Sequence, residues 1–187
     1  MAEDARFAAA CNLEFRFLEL GCATYVGHRS SDLPWVGRNV ERIEPVLMAA
    51  LSDRAARGQP GVRPWLFCPC GIGGHVDHLA IRMIVTRHAE RLAESFRLAF
   101  YEDLSYASDP VARWSGIAEL LRALPGRPVR RHAWPLGDAI GTKLALIRLY
   151  ASQFIEPPQS IGRFTPASDA TLPPHEAVWT AEPGGPA

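Results

Sequence analysis

Lysine is almost absent from this chain: Lys143 is the only one among 187 residues, and arginine supplies nearly all of the 20 basic side chains. Aspartate and glutamate also number 20, so the formal net charge is zero. That balance removes the electrostatic footprint of a nucleic-acid binder or of a protein held on an anionic membrane. No apolar run approaches the ~20 residues a bilayer span requires, and the opening residues carry no signal-peptide pattern. Cysteine is scarce, with four residues (Cys11, Cys22, Cys68 and Cys70) at irregular spacing. Such spacing does not make a disulfide framework, and a reducing, cytoplasmic setting is expected. The length suits one domain with its own apolar core.

What is present reads as alternating helices and strands. Residues 2–12 place Phe7, Ala8 and Cys11 on one helical stripe, and Leu13, Phe15 and Phe17 then alternate with polar residues as in a strand over 13–20. Asn39 is the expected cap of a helix over 40–57 that stops at Gly58, with Pro45 marking a kink or a later start. Further on, 63–69 and 96–104 read as strands and 127–136 as extended chain. Helices are expected over 76–94, 110–124 and 138–154. This alternation predicts an α/β layered fold with a mainly parallel sheet. The domain is expected to occupy 1–155, and the proline-rich segment 156–187 to pack on it only through the apolar stretch 176–179. A doubly wound sheet is normally built outward from a first strand followed by a functional turn. This chain opens instead with a helix and a modest strand and has no glycine-rich first turn, so the first βα unit is expected to be missing.

The densest chemistry lies in "CPCGIGGHVDHLAIR", residues 68–82. A buried strand ends there, three glycines allow a sharp turn, and a helix begins at Val76. Ligand sites of open α/β sheets lie at that edge. His75 and His78 share a face of the first helical turn, and Asp77 between them is placed to cap the helix or orient an imidazole. Two histidines and a carboxylate suit zinc or a similar divalent ion. Plain helix capping accounts for the same residues, and single His-x-x-His matches are common. A structural zinc on Cys68, Cys70, His75 and His78 is a further option, although Cys-x-Cys is tighter than the usual cysteine spacing.

The run "PCGIGGHVDHLAIR" resembles the second signature of the LmbE-like, or PIG-L, zinc-dependent N-deacetylases. Three further segments resemble that family in the same order: "FYEDLSYA" (100–107), "KLALIRLYASQF" (143–154) and "EAVW" (176–179). The opening "EDARFAAACNLEF" resembles the helix before the family's middle strand. The resemblance implies a Rossmann-like layered fold, a zinc ion held by His78, and His75 polarising the amide carbonyl or protonating the leaving amine. It implies that Asp77 supports His75 electrostatically. Tyr101 and Asp103 follow a strand, where they are expected either on a substrate-pocket wall or in loop-capping hydrogen bonds that tie the strand end to its neighbour. The implied reaction is hydrolysis of an N-acetyl group on an amino sugar or glycoconjugate, with zinc lowering the pKa of bound water to about 7. The family's first signature, Ala-His-Pro-Asp-Asp-Glu, supplies the remaining ligands and the general base, and residues 1–60 contain no match to it. His28 is the sole histidine in that stretch. The expectation is therefore an N-terminally incomplete member, impaired in catalysis, with an exposed apolar face that favours self-association. A non-catalytic remnant or binding protein of the same fold is the alternative.

Overall fold

The computed structural model describes residues 2–21, 32–59, 61–153, 158–167 and 172–182. Helices α1 (Ala2–Ala10), α2 (Val36–Ala56), α3 (Val76–Arg87), α4 (Ala89–Ser95), α5 (Pro110–Ala123) and α6 (Ile140–Ile147) accompany strands β1 (Trp65–Pro69), β2 (Arg97–Tyr101), β3 (Val129–Pro135) and β4 (His175–Ala181). The sheet order is β1-β2-β4-β3. The α/β class is as expected. The sheet is not mainly parallel among the described residues: β1 and β2 run parallel, while β4 is antiparallel to both β2 and β3. The cause is β4. It comes from the proline-rich segment, yet it lies between β2 and β3 rather than resting on the outside of the domain. His175, Ala177, Trp179 and Ala181 alternate inward along it, the period of a strand.

One apolar core lies between the sheet and the helices. Leu98 and Phe100 of β2 and Cys68 of β1 meet Ile84 and Val85 of α3 and Ile117 and Leu120 of α5. α2 lies outside α3 and contributes Val40, Ile43 and Met48. The opposite sheet face is bare: Trp65, Phe67 and Trp134 are 47%, 55% and 53% exposed. With Arg63, Arg97 and Val178 they line a groove of about 670 Å³.

Local sequence patterns were overridden at three places. Residues 13–20 form no strand and run along α2, with Arg16 near Asp53 and with Leu13, Phe15 and Phe17 exposed. α2 starts at Val36, four residues before the expected start, and continues through Pro45; Asn39 is inside it and fully buried. The helix expected over 76–94 breaks at His88, whose imidazole and the neighbouring Arg87 both bind Glu44 of α2. Among the described residues no helix is long and apolar enough to cross a membrane.

Candidate functional site

Because β1 and β2 are parallel, their carboxyl ends open on the same edge, and Cys70 N–H bonds Tyr101 C=O (2.9 Å) to extend the pairing by one residue. Two loops leave this edge side by side. The first is the glycine turn. Gly73 has φ +80°, and a Cβ there would lie 2.2 Å from Cγ of Tyr106, so the turn needs glycine both for its backbone and for the ring packed on it. From the other side α5 approaches closely through Gly116, where a Cβ would lie 2.8 Å from Ile72. The turn is thus clamped between α5 and Tyr106.

His75 ends the turn in an extended conformation and caps α3, its Nδ1 accepting the backbone N–H of Asp77 (3.3 Å). The second loop brings Asp103 beneath the first turn of α3. Its carboxylate bonds Nδ1 of His78 (2.6 Å) through one oxygen and accepts Ile72 N–H (3.0 Å) through the other. The Asp103 side chain is fully buried, whereas that of His78 is 32% exposed. The His75 and His78 ring centroids are 4.8 Å apart.

These hydrogen bonds assign opposite tautomers to the two rings. His78 donates its Nδ1 proton to a carboxylate, which leaves a lone pair on Nε2. His75 spends its Nδ1 lone pair on a backbone N–H, which leaves the proton on Nε2. One imidazole is equipped to bind an electrophile and its neighbour to donate a hydrogen bond. Burial, reinforced by neighbouring His78, holds the His75 pKa below its ordinary value against the opposing pull of Asp77 and Asp103. A lowered pKa keeps His75 neutral near pH 7, as a fixed Nε2–H donor requires.

Asp77 links the start of α3 to α2. Its Oδ1 accepts from the amide of buried Asn39 (2.6 Å), whose own carbonyl accepts from Arg42 (2.6 Å). Sequence reasoning placed Asn39 only as a helix cap, and nothing in its local pattern signals a partner 38 residues away. Asp103 is buried beneath His78, where its hydrogen bonds to Ile72 and His78 tie the end of β2 to the glycine turn. Tyr101, at the end of β2, is 38% exposed, and burial of its hydroxyl together with the Asp103 charge pushes its pKa up. Just behind it, Glu102 is fully buried and binds Arg113 through Nε (2.6 Å) and Nη2 (2.9 Å), Arg131 (2.8 Å) and the Trp179 indole N–H (2.9 Å). Burial alone would raise the Glu102 pKa, but the bonds from Arg113, Arg131 and Trp179 outweigh it and hold the carboxyl below its ordinary value. This cluster ties β2, β3, β4 and α5 together immediately behind the two loops.

No family model matches this chain, and no curated protein or solved structure matches it. The site must be judged on its own atoms. Cys68 and Cys70 are buried in the core, where burial, aided by the Asp103 charge, pushes both thiol pKa values up. Among the described residues no three histidine, cysteine, aspartate or glutamate side chains converge to hold a metal ion. The four-ligand site on Cys68, Cys70, His75 and His78 is therefore not assembled. Of the residues expected around a catalytic zinc, His78 offers one lone pair, short of the three protein donors such a site takes. His28 lies outside the described residues.

Proposed function

We propose that this chain carries the histidine half of an amide-hydrolase centre of the LmbE-like type, acting on the N-acetyl group of an amino sugar or glycoconjugate. The observation that supports the reading is the pair of hydrogen bonds, Asp77 N–H to His75 Nδ1 and His78 Nδ1 to Asp103, from which the opposed tautomers follow. His78, fixed from behind by Asp103, presents Nε2 as the ligand atom for the expected zinc. His75 presents Nε2–H to the amide oxygen, where negative charge develops as the carbonyl is attacked. Asn39 and Asp77 keep the start of α3 in register with the turn. Their place at the carboxyl ends of two parallel strands also suits the Rossmann-like layering that the family resemblance implies. The described residues do not complete a zinc site. In this reading the remaining donors and the general base lie outside the described residues.

The incomplete donor set favours a second reading, a protein of the same fold that binds N-acetylated sugars without cleaving them. Two measurements separate these possibilities. Zinc titration of the chain and of its His78→Ala and His75→Ala variants is expected to show weak binding that depends on His78 and survives loss of His75. Loss of zinc from His75→Ala with retention in His78→Ala would reverse the assigned roles. With the missing ligands and general base restored to the chain, acetate release from N-acetylglucosamine that falls roughly 10²- to 10³-fold in His75→Ala supports the hydrolase. Saturable sugar binding with no acetate released supports the binding protein.

A further inference from the structure

Three segments singled out in the sequence have no part in the histidine pair: residues 104–106, the stretch 143–153, and Glu176. All line one cleft of about 550 Å³, within the usual size of small-molecule sites. Tyr106, packed on Gly73 of the histidine turn, forms the wall nearest the site above. Opposite lies α1, which is docked rather than loose. Glu3 binds the Ser152 backbone N–H (2.8 Å) and hydroxyl (2.6 Å), and the Phe7 and Tyr150 rings are 5.7 Å apart. Leu104, Leu146, Ile147 and Phe164 make the remaining walls mostly apolar.

The two charged residues that line this cleft form an ion pair. Lys143 joins Glu176 and also donates to the Phe164 carbonyl. Its side chain is 14% exposed and that of Glu176 46%. An ammonium has three donors, so two are occupied and one remains, beside a carboxylate with lone pairs to spare. An anion on this pair meets Glu176, and a cation meets Lys143. A hydroxyl satisfies both, accepting from Lys143 and donating to Glu176. We propose that the cleft binds a neutral amphiphile, its apolar body against Phe7, Tyr106, Ile147 and Tyr150 and its hydroxyl head on the Lys143–Glu176 pair. This goes beyond the amide-hydrolase reading and does not depend on it, because binding is measured without metal or turnover.

The test uses the whole chain and a series of 1,2-alkanediols (butane-, hexane- and octanediol). Titration calorimetry is expected to show affinity rising up to roughly fourfold per added methylene, the yield of ~0.8 kcal/mol for each buried CH₂. Lys143 is the only lysine. An amine-reactive reagent followed by peptide mass mapping therefore reports this cleft and the N-terminal amine alone. Octanediol should slow labelling of Lys143 several-fold and leave the N-terminus unaffected. Ile147→Trp, which fills the cleft, should lose at least tenfold in octanediol affinity, and Lys143→Met should lose several-fold while keeping the chain-length dependence. Affinity independent of chain length overturns the proposal. So does undiminished labelling of Lys143 with the diol bound, which would put the ligand elsewhere, for instance on the bare sheet face. Wild-type affinity in Ile147→Trp overturns it as well, and undiminished affinity in Lys143→Met overturns the head-group assignment. If Ile147→Trp does not fold, the wild-type footprint alone decides.

Discussion

Replacing Asp103 with asparagine keeps the side chain's shape and changes only which of its atoms donate. The buried carboxylate now accepts twice, from His78 Nδ1 and from Ile72 N–H. Asparagine has a single acceptor oxygen. The backbone N–H of Ile72 cannot change its polarity, so the amide oxygen is expected to face it and the NH₂ to face His78. The imidazole can then avoid a donor–donor conflict only by moving its proton to Nε2, which removes the lone pair from the exposed side of the ring. The stability cost is the loss of a charge-assisted hydrogen bond, about 1.5–3 kcal/mol. For a chain of this size that corresponds to roughly 3–12 °C in Tm at ~2–4 °C per kcal/mol. Asp103→Ala leaves both donors unmatched and should cost more, about 3–5 kcal/mol. Long-range ¹H–¹⁵N correlation of the imidazoles reads the tautomer directly, and thermal unfolding reads the cost. Persistence of the Nδ1–H tautomer of His78 in Asp103→Asn would refute the reasoning, as would wild-type melting of Asp103→Ala.

Glu102→Gln breaks a buried carboxylate away from two arginines and should cost about 3–5 kcal/mol in urea unfolding. A cost under 1 kcal/mol would mean that the cluster is not coupled to the fold. Acid sensitivity should appear in two windows, because both groups have folded pKa values below their ordinary ones and the unfolded chain takes up the proton first. Each contribution is complete above the ordinary value and fades as pH falls towards the folded one, from about 6.5 downward for His75 and from about 4.5 downward for Glu102. His75→Asn, which keeps a capping residue, should flatten only the upper window in unfolding measured against pH; an unchanged profile would discount His75. Gly73→Ala combines a left-handed backbone, ~1–2 kcal/mol, with overpacking against Tyr106, ~1–3 kcal/mol. Adding Tyr106→Ala should recover only the second part, and full recovery in the double variant's melting curve would show that the backbone is unstrained. The bare sheet face should drive self-association, so Trp65→Thr with Phe67→Thr should shift sedimentation towards monomer; a wild-type chain already monomeric at high concentration would contradict this.

Elements whose signals are local were readable from the sequence. β1 lies within 63–69, α5 closely matches 110–124, and α1 matches the Phe7–Ala8 stripe, since periodicity and stop residues act within a few positions. Elements defined by a partner were not. Leu13, Phe15 and Phe17 alternate as a strand does, but alternation supplies a face and not a neighbour to pair with. His88 interrupts a continuous helical pattern because Glu44, 44 residues away, draws it aside. β4 was hidden by its proline-rich surroundings, although its alternating burial matches the apolar pattern of 175–181. At the site, the glycine turn and the two histidines were legible as residue types at fixed spacing. That the rings hold opposite tautomers was not, because Asp103 lies 25 residues from His78 and meets it only across the parallel pair.

The position of β4 governs the order in which the molecule is assembled. It is the last strand among the described residues, yet it holds the interior place between β2 and β3. During synthesis β1 and β2 can pair as soon as both are made, but β3 has no neighbour until Ala181 has been added. Glu102 and Arg113 must also wait for Trp179 to close over them. A chain that stops before His175 therefore holds a β1-β2 pair and an unpaired β3 with no strand to join them. Closure of the sheet waits on residues 175–181, and a peptide spanning them supplied from outside is the natural reagent for rescuing such a truncated product.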